Sequence, residues 1–169
     1  MKILGIDPGL QKTGWGIITS EGNQLSFVAS GLIKTSKSKN LPDRLCEIDH
    51  GIMDVVLQFK PDTAAIEETF VNTNAASSLK LGSARGVAMV VPARQGLQVG
   101  EYPANLVKKS VVGAGKADKG QVGMMIKTLL PSCGEISEDE ADALAVAICH
   151  AHHAASKERF GGVMAGAAR

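Results

Sequence analysis

Four acids carry the clearest chemistry in this chain. Asp7 stands immediately before Pro8-Gly9, Glu67 closes the short apolar run Ala64-Ala65-Ile66, and Asp139 and Asp142 lie three residues apart in SEDEADALA (137–145). Carboxylates stay ionised at neutral pH and offer hard oxygen donors, so a set of them suits Mg²⁺ or Mn²⁺. Two such ions roughly 3.5–4 Å apart can activate a water on one side of a phosphodiester and stabilise the leaving oxygen on the other. The expected chemistry is metal-assisted hydrolysis of a nucleic-acid backbone. Asp7, Glu67, Asp139 and Asp142 would serve as both metal ligands and catalytic groups.

Each acid also has a plainer account when taken alone. An Asp before Pro-Gly often caps a turn. Ser137 and Glu140 form a capping box that starts a helix, and acids in a first turn complement the helix dipole. That accounts for Glu138, Asp139 and Glu140. It does not account for Asp142, which lies beyond the first turn among Ala141, Ala143 and Leu144. Asp139 and Asp142 share one helical face, and an acid among alanines needs a cation or a hydrogen bond.

Other side chains fit around this set. Phe70, in Thr69-Phe70-Val71-Asn72, follows Glu67 closely enough to stack on or wedge between bases, or simply to pack. Lys108, Lys116 and Lys119 are placed to meet phosphates, with the glycines of loop 113–120 letting it adapt. That loop lacks the spacing of a nucleotide-binding P-loop, and neither GxSxG nor HExxH occurs. His150, His152 and His153 lack partners at zinc-ligand spacing and read as surface or helix-end residues. The odd number of cysteines, Cys46, Cys133 and Cys149, with no CxxC pair, points to buried free thiols in a reducing cytoplasm.

The elements that must position these residues follow from periodicity. Lys2 to Ile6, Trp15 to Thr19 and Leu25 to Thr35 read as strands of an antiparallel meander, with a turn at Glu21-Gly22-Asn23. Leu41, Leu45, Ile48, Ile52, Val55 and Phe59 form one helical stripe, ended by Lys60-Pro61-Asp62. A buried strand over Thr63 to Ile66 ends at Glu67. If it runs parallel beside the first strand, both acids emerge at one sheet edge, where α/β folds hold ligands. A helix from Ala75 to Val91, closed by Pro92, carries Leu79, Ala84, Val87, Ala88 and Val91 on one side and Met89 and Val90 on another. Its Gly82 and Gly86 permit close approach, of the sheet or of a dimer partner. A fifth strand over Leu97 to Tyr102 is followed by helices from Pro103 to Val112, Gln121 to Leu130 and Glu138 to Ala154. The order implies an α/β fold, one five-stranded mixed sheet flanked by helices. One domain over 1–156 and a loose tail over 157–169 are expected.

The bulk composition restricts the function less than the motifs do. A 44% apolar content over 169 residues supports a packed domain. No signal-peptide pattern or membrane-length apolar run is present, so a cytoplasmic protein with no membrane partner is expected. The net charge of +1 hides local runs: Lys34, Lys37, Lys39 and Arg44 fall close together, as do Lys108, Lys109, Lys116, Lys119 and Lys127. These are either phosphate-binding stretches around an acidic pocket or ordinary solvated faces.

ILGIDPGLQKTGWG (3–16), AIEETF (65–70), LKLGSARGV (79–87) and DEADALAVA (139–147), in order and without large gaps, resemble the RuvC family of bacterial Holliday-junction resolvases. Val107-Lys108 and Val111-Val112-Gly113 resemble it too. The resemblance implies an RNase H-like fold and a Mg²⁺-dependent homodimer that nicks two like-polarity strands of a four-way DNA junction. It also implies partnership with junction-binding and branch-migration proteins. The family's catalytic acids fall on Asp7, Glu67, Asp139 and Asp142, its aromatic near the junction centre on Phe70, and its DNA-contacting lysines on Lys108 and Lys119. Its dimer-forming helix contains Gly82 and Gly86. Lys116 lies where the family's loop varies, and Glu68 stands beside the matched acid as a supporting group. Three alternatives stay in view: an actin-like ATPase, which generally needs two such domains; an RNase H-like nuclease for another nucleic acid; and a non-catalytic junction-binding module, whose mark would be a missing acid.

Overall fold

The computed structural model describes residues 1–68, 74–114 and 118–166, with the backbone alone at Lys119 and from residue 155 onward. Five strands, β1 (Lys2–Asp7), β2 (Lys12–Glu21), β3 (Gln24–Lys34), β4 (Thr63–Glu68) and β5 (Gln98–Pro103), form one sheet in the order β3-β2-β1-β4-β5. β1 and β3 pair antiparallel with β2, whereas β1–β4 and β4–β5 are parallel. The meander turns at Gly22, whose positive φ of 61° suits glycine.

Alternation along the strands sorts the core into two layers. Ile3 and Ala65 face one side, with α3 (Ala104–Val112), α4 (Lys119–Leu129) and α5 (Glu138–Gly166). Leu4, Ile6, Ala64 and Ile66 face the other, with α1 (Leu41–Phe59) and α2 (Ala75–Arg94). The α1 stripe is buried at Ile48, Ile52, Val55 and Val56. Asn40 caps its start by accepting from the Asp43 amide at 2.9 Å, and Lys60 ends it in the left-handed conformation at φ 47°.

The packing of α5 decides where the chemistry lies. A Cβ on Gly5 would come within 2.1 Å of the Ala143 carbonyl oxygen, one on Gly14 within 2.1 Å of that of Asp139, and one on Gly16 within 2.6 Å of Leu144. These strand glycines let the helix backbone lie directly on the sheet. Ala143 and Ala147 present the matching small face, the Ala147 Cβ lying 2.9 Å from the Cβ position of Gly5, and both are buried.

Several local expectations change. Pro92 does not close α2, which continues to Arg94. Proline's fixed φ is helical, and so near the end only one ladder bond is lost. Leu79, expected on the side of Ala84, Ala88 and Val91, does not share their burial and is 75% exposed. The thiols are free, but Cys46 is exposed while Cys133 and Cys149 are buried. Finally, α5 continues to Gly166, beyond the expected helix end at Ala154. Ala155, Lys157, Glu158 and Arg159 are strong helix formers with no proline among them.

Candidate active site

The strand register brings the first two acids together. Ile6 pairs with Ile66 across the parallel β1–β4 ladder, so Asp7 and Glu67 are the next residues on adjacent strands, about 4.8 Å apart by strand spacing. Because Leu4, Ile6, Ala64 and Ile66 face α1 and α2, alternation turns Asp7 and Glu67 toward α5. Asp7 is also registered opposite Gly14 of β2, and the ideal Cβ position of Gly14 lies 3.3 Å from the Asp139 Cβ. Asp139 thus sits over the strand next to Asp7. Asp142, about one turn further along α5, lines a cavity of about 150 Å³ together with Glu67, Val107, Lys108 and Val122. All four acids are partly buried, at the carboxyl ends of the parallel strands.

The four acids therefore share one edge and one side of the sheet. Among the described residues, no three His, Cys, Asp or Glu side chains are gathered as the ligand set of one ion. Like charges resist such closeness, and a cation is what offsets the repulsion. The donor type itself fits: carboxylate oxygens from strand ends and a helix are what hard divalent cations take.

The capping box holds the start of α5. The Ser137 amide and hydroxyl donate to Glu140 Oε2 at 2.9 and 2.7 Å, and the Glu140 amide donates to Ser137 Oγ at 3.4 Å. Ser30 of β3 donates to Glu140 Oε1 at 2.9 Å, so this carboxylate also ties the helix to the sheet. Burial alone would push its carboxyl up, but the bonds from Ser137 and Ser30 outweigh it and hold the group below the usual range.

Of the expected DNA contacts, Lys108 is placed beside Glu67 and Asp142. Phe70 and Lys116 lie outside the described residues, as does the Lys119 side chain. The backbone of Lys119 begins α4, and the next residue, Gly120, lines a cavity of about 410 Å³ with Ile136, Glu138 and Asp142. Glu68 is partly buried at the end of β4.

Two features escaped the sequence reading. Arg85 of α2 donates from Nε to the Glu67 carbonyl at 3.2 Å and pairs with Glu101, steadying the end of β4. His150 is partly buried and engaged across the sheet. Its Nε2 lies 3.1 Å from Thr63 Oγ1 and its Nδ1 2.9 Å from the Tyr102 hydroxyl, while His153 stacks on Tyr102 at 5.3 Å. Thr63 gives its proton to the Gln98 carbonyl, so Nε2 donates to Thr63 and Nδ1 accepts from Tyr102. Burial, then proximity to Cys149, pushes the Tyr102 hydroxyl up. Thr63 opens β4 and Glu67 lies near its far end, which separates the histidine from the acids.

The comparisons agree with this architecture. A family model described as "Crossover junction endodeoxyribonuclease RuvC" matches residues 3–150. A protein of that name from Paramagnetospirillum magneticum is 59% identical over 160 residues, covering 95% of this chain and 96% of the relative. One from Rhodopseudomonas palustris is 56% identical over 95% of this chain and 92% of its own. Thermus thermophilus RuvC, solved in complex with a Holliday junction substrate, superposes with a TM-score of 0.85 at 30% identity, over 92% of this chain and 96% of that one. The yeast mitochondrial Holliday junction resolvase shares the fold, with a TM-score of 0.66 at 12% identity over 94% and 82% of the two chains.

Proposed function

The chain belongs to the RuvC family of crossover junction endodeoxyribonucleases, and from that membership we propose that it resolves four-way DNA junctions by paired nicks in strands of like polarity. The observation that carries this reading is the register that sets Asp7 beside Glu67, under the start of α5 with Asp139 and Asp142. The related Thermus protein, solved with a Holliday junction, supports the choice of substrate.

Asp7, Glu67, Asp139 and Asp142 would hold Mg²⁺, two ions per site, with Mn²⁺ as a substitute. The ions supply an activated water and charge stabilisation for the leaving oxygen. The protein's own part is placement. Gly14 sets the height of Asp139 over the sheet, Glu140 fixes the start of its helix, and Lys108 meets a phosphate oxygen beside Glu67 and Asp142. Phe70, Lys116 and Lys119 are assigned to the DNA from the sequence.

Paired nicks need two sites, and α2 offers a face for a homodimer. Leu79 and Val90 are exposed on it, and Cβ atoms on Gly82 and Gly86 would meet nothing within 4 Å in this chain. An apolar strip with bare backbone between suits the close approach of an identical helix. We take residues 1–156 as the nuclease domain, acting in the cytoplasm with junction-binding and branch-migration proteins. No helix among the described residues is long and apolar enough to cross a membrane.

Cleavage of a synthetic four-way junction, a linear duplex and an RNA–DNA hybrid, each with Mg²⁺, tests this reading. Only the junction should be cut, with symmetric nicks. Equal cutting of all three would overturn it.

A further inference from the structure

The basic run at 34–44 resolves into residues with different jobs. Lys39 is paired with Glu47 at 2.8 Å. Arg44 is a brace: its Nη2 donates to the Leu10 carbonyl at 3.0 Å and its Nε to Thr35 Oγ1 at 2.9 Å. Lys34 is exposed, and among the described residues it makes no ion pair. The same holds for Lys12, which the sequence reading passed over.

These two lysines are directly opposite each other. Lys12 and Lys34 are registered partners at the end of the β2–β3 ladder, where opposed side chains have Cβ atoms about 4.5–5.5 Å apart. Like charges so placed cost stability. The surrounding structure nevertheless holds them abreast, because the Arg44 brace and a bond from the Thr35 amide to the Gln11 carbonyl at 3.2 Å tie the two chain segments together.

Alternation gives their direction. Lys12 has the parity of Gly14, whose side faces Asp139, so Lys12 is turned toward the α5 side of the sheet. Lys34 has the parity of Leu32, the partner of Gly14, whereas Ile33 packs on the α1 side. Lys12 lies two residues, about 7 Å, beyond the strand position on which Asp139 rests. It is therefore at the edge where Asp7 ends β1, on the same side as all four acids. Lys108 flanks the acids from the β5–α3 side. Lys12 and Lys34 flank them from the β2–β3 side, across Asp7.

We infer that Lys12 and Lys34 form a second phosphate-binding site, a pair of ammonium groups that grips the backbone of the cut DNA strand on the side of the acids away from Lys108. The inference rests on the nuclease reading above. A run of phosphodiesters, each with two non-bridging oxygens sharing one negative charge, is the ligand class that answers two adjacent cations. A strand held at Lys108 and at this pair would be drawn across the acids between them. No sequence selectivity follows, since phosphate contacts position and do not read bases.

The test is junction binding by fluorescence anisotropy in Ca²⁺, over a series of KCl concentrations, for wild type, Lys12→Ala/Lys34→Ala and Lys12→Arg/Lys34→Arg. The alanine pair should bind more weakly, with a log–log salt slope shallower by about 0.9 per lysine. Its melting temperature should hold or rise, because a like-charge pair has been removed. The arginine pair should keep the wild-type slope. A folded alanine pair with the full slope, against a wild type that cuts junctions, would overturn this site alone. Wild-type protein that binds no DNA would overturn the nuclease reading and this site with it.

Discussion

Gly14→Ala is the sharpest single perturbation of the site, because it adds one methyl group and removes no charge. The new Cβ would stand 2.1 Å from the Asp139 carbonyl oxygen and 2.6 Å from its carbonyl carbon. Both obstacles are backbone, so no side chain can swing aside. The start of α5 must lift by about 0.9 Å before the closer contact reaches 3.0 Å. It carries Asp139 and Asp142 away from Asp7 and Glu67. Overpacking of this size costs about 1–3 kcal/mol, a drop in melting temperature of roughly 2–12 °C in a domain of this length. A displacement near 1 Å at reacting groups costs about a hundredfold in rate. Single-turnover cleavage of a four-way junction in Mg²⁺, with circular dichroism to verify folding, measures both effects. Cleavage should fall about a hundredfold while junction binding in Ca²⁺ holds. A folded variant that cuts at the wild-type rate would refute the claim that this contact positions the acids.

Other substitutions test separate parts of the account. Lys108→Ala should weaken junction binding and lower the salt slope by about 0.9, as expected of one phosphate contact, in an anisotropy titration. Glu140→Gln should be destabilising at neutral pH. The folded Glu140 titrates below its ordinary 4.5, so its stabilising contribution is complete above that value and is lost as pH falls through the lower folded one. Denaturant unfolding of both proteins at a series of pH values should show the gap closing below pH 4.5, and a pH-independent gap would rule out the carboxylate. Leu79→Lys with Val90→Lys should leave the monomer folded, because both side chains are exposed within the chain. Light scattering should then report a monomer, and junction cutting should lose its symmetry.

Much of this arrangement could be read from the residues. The meander, the α1 stripe and the Ser137–Glu140 box are local patterns, and local patterns survive folding. The placement of Asp7 beside Glu67 followed once β1 and β4 were taken as parallel neighbours. Other features depend on long-range packing. Nothing near His150 in sequence announces Thr63 or Tyr102, which meet it only after the sheet is assembled. Apolar character groups Leu79 with Ala84 and Val91, but at about 3.6 residues per turn it points roughly 120–140° away from them and is exposed. Cys46 misled for a similar reason, since a cysteine in an apolar helix can still face water. The glycines at 5, 14 and 16 did carry a signal. Gly14 and Gly16, two apart in β2, mark a side of the strand that another backbone must approach, and Gly5 marks the same side of β1. The lysine pair carried none, because Lys12 and Lys34 meet only through the register of β2 and β3.

The central claim is that Asp7, Glu67, Asp139 and Asp142 act together through divalent cations on a four-way junction. Its most direct test is junction cleavage by wild type and by Asp7→Asn, with Mg²⁺ and with a chelator, beside binding of the same junction. Wild type should cut only with Mg²⁺, and Asp7→Asn should bind the junction but not cut it under either condition. Cleavage that persists in chelator, or an Asp7→Asn protein that cuts normally in Mg²⁺, would contradict the claim.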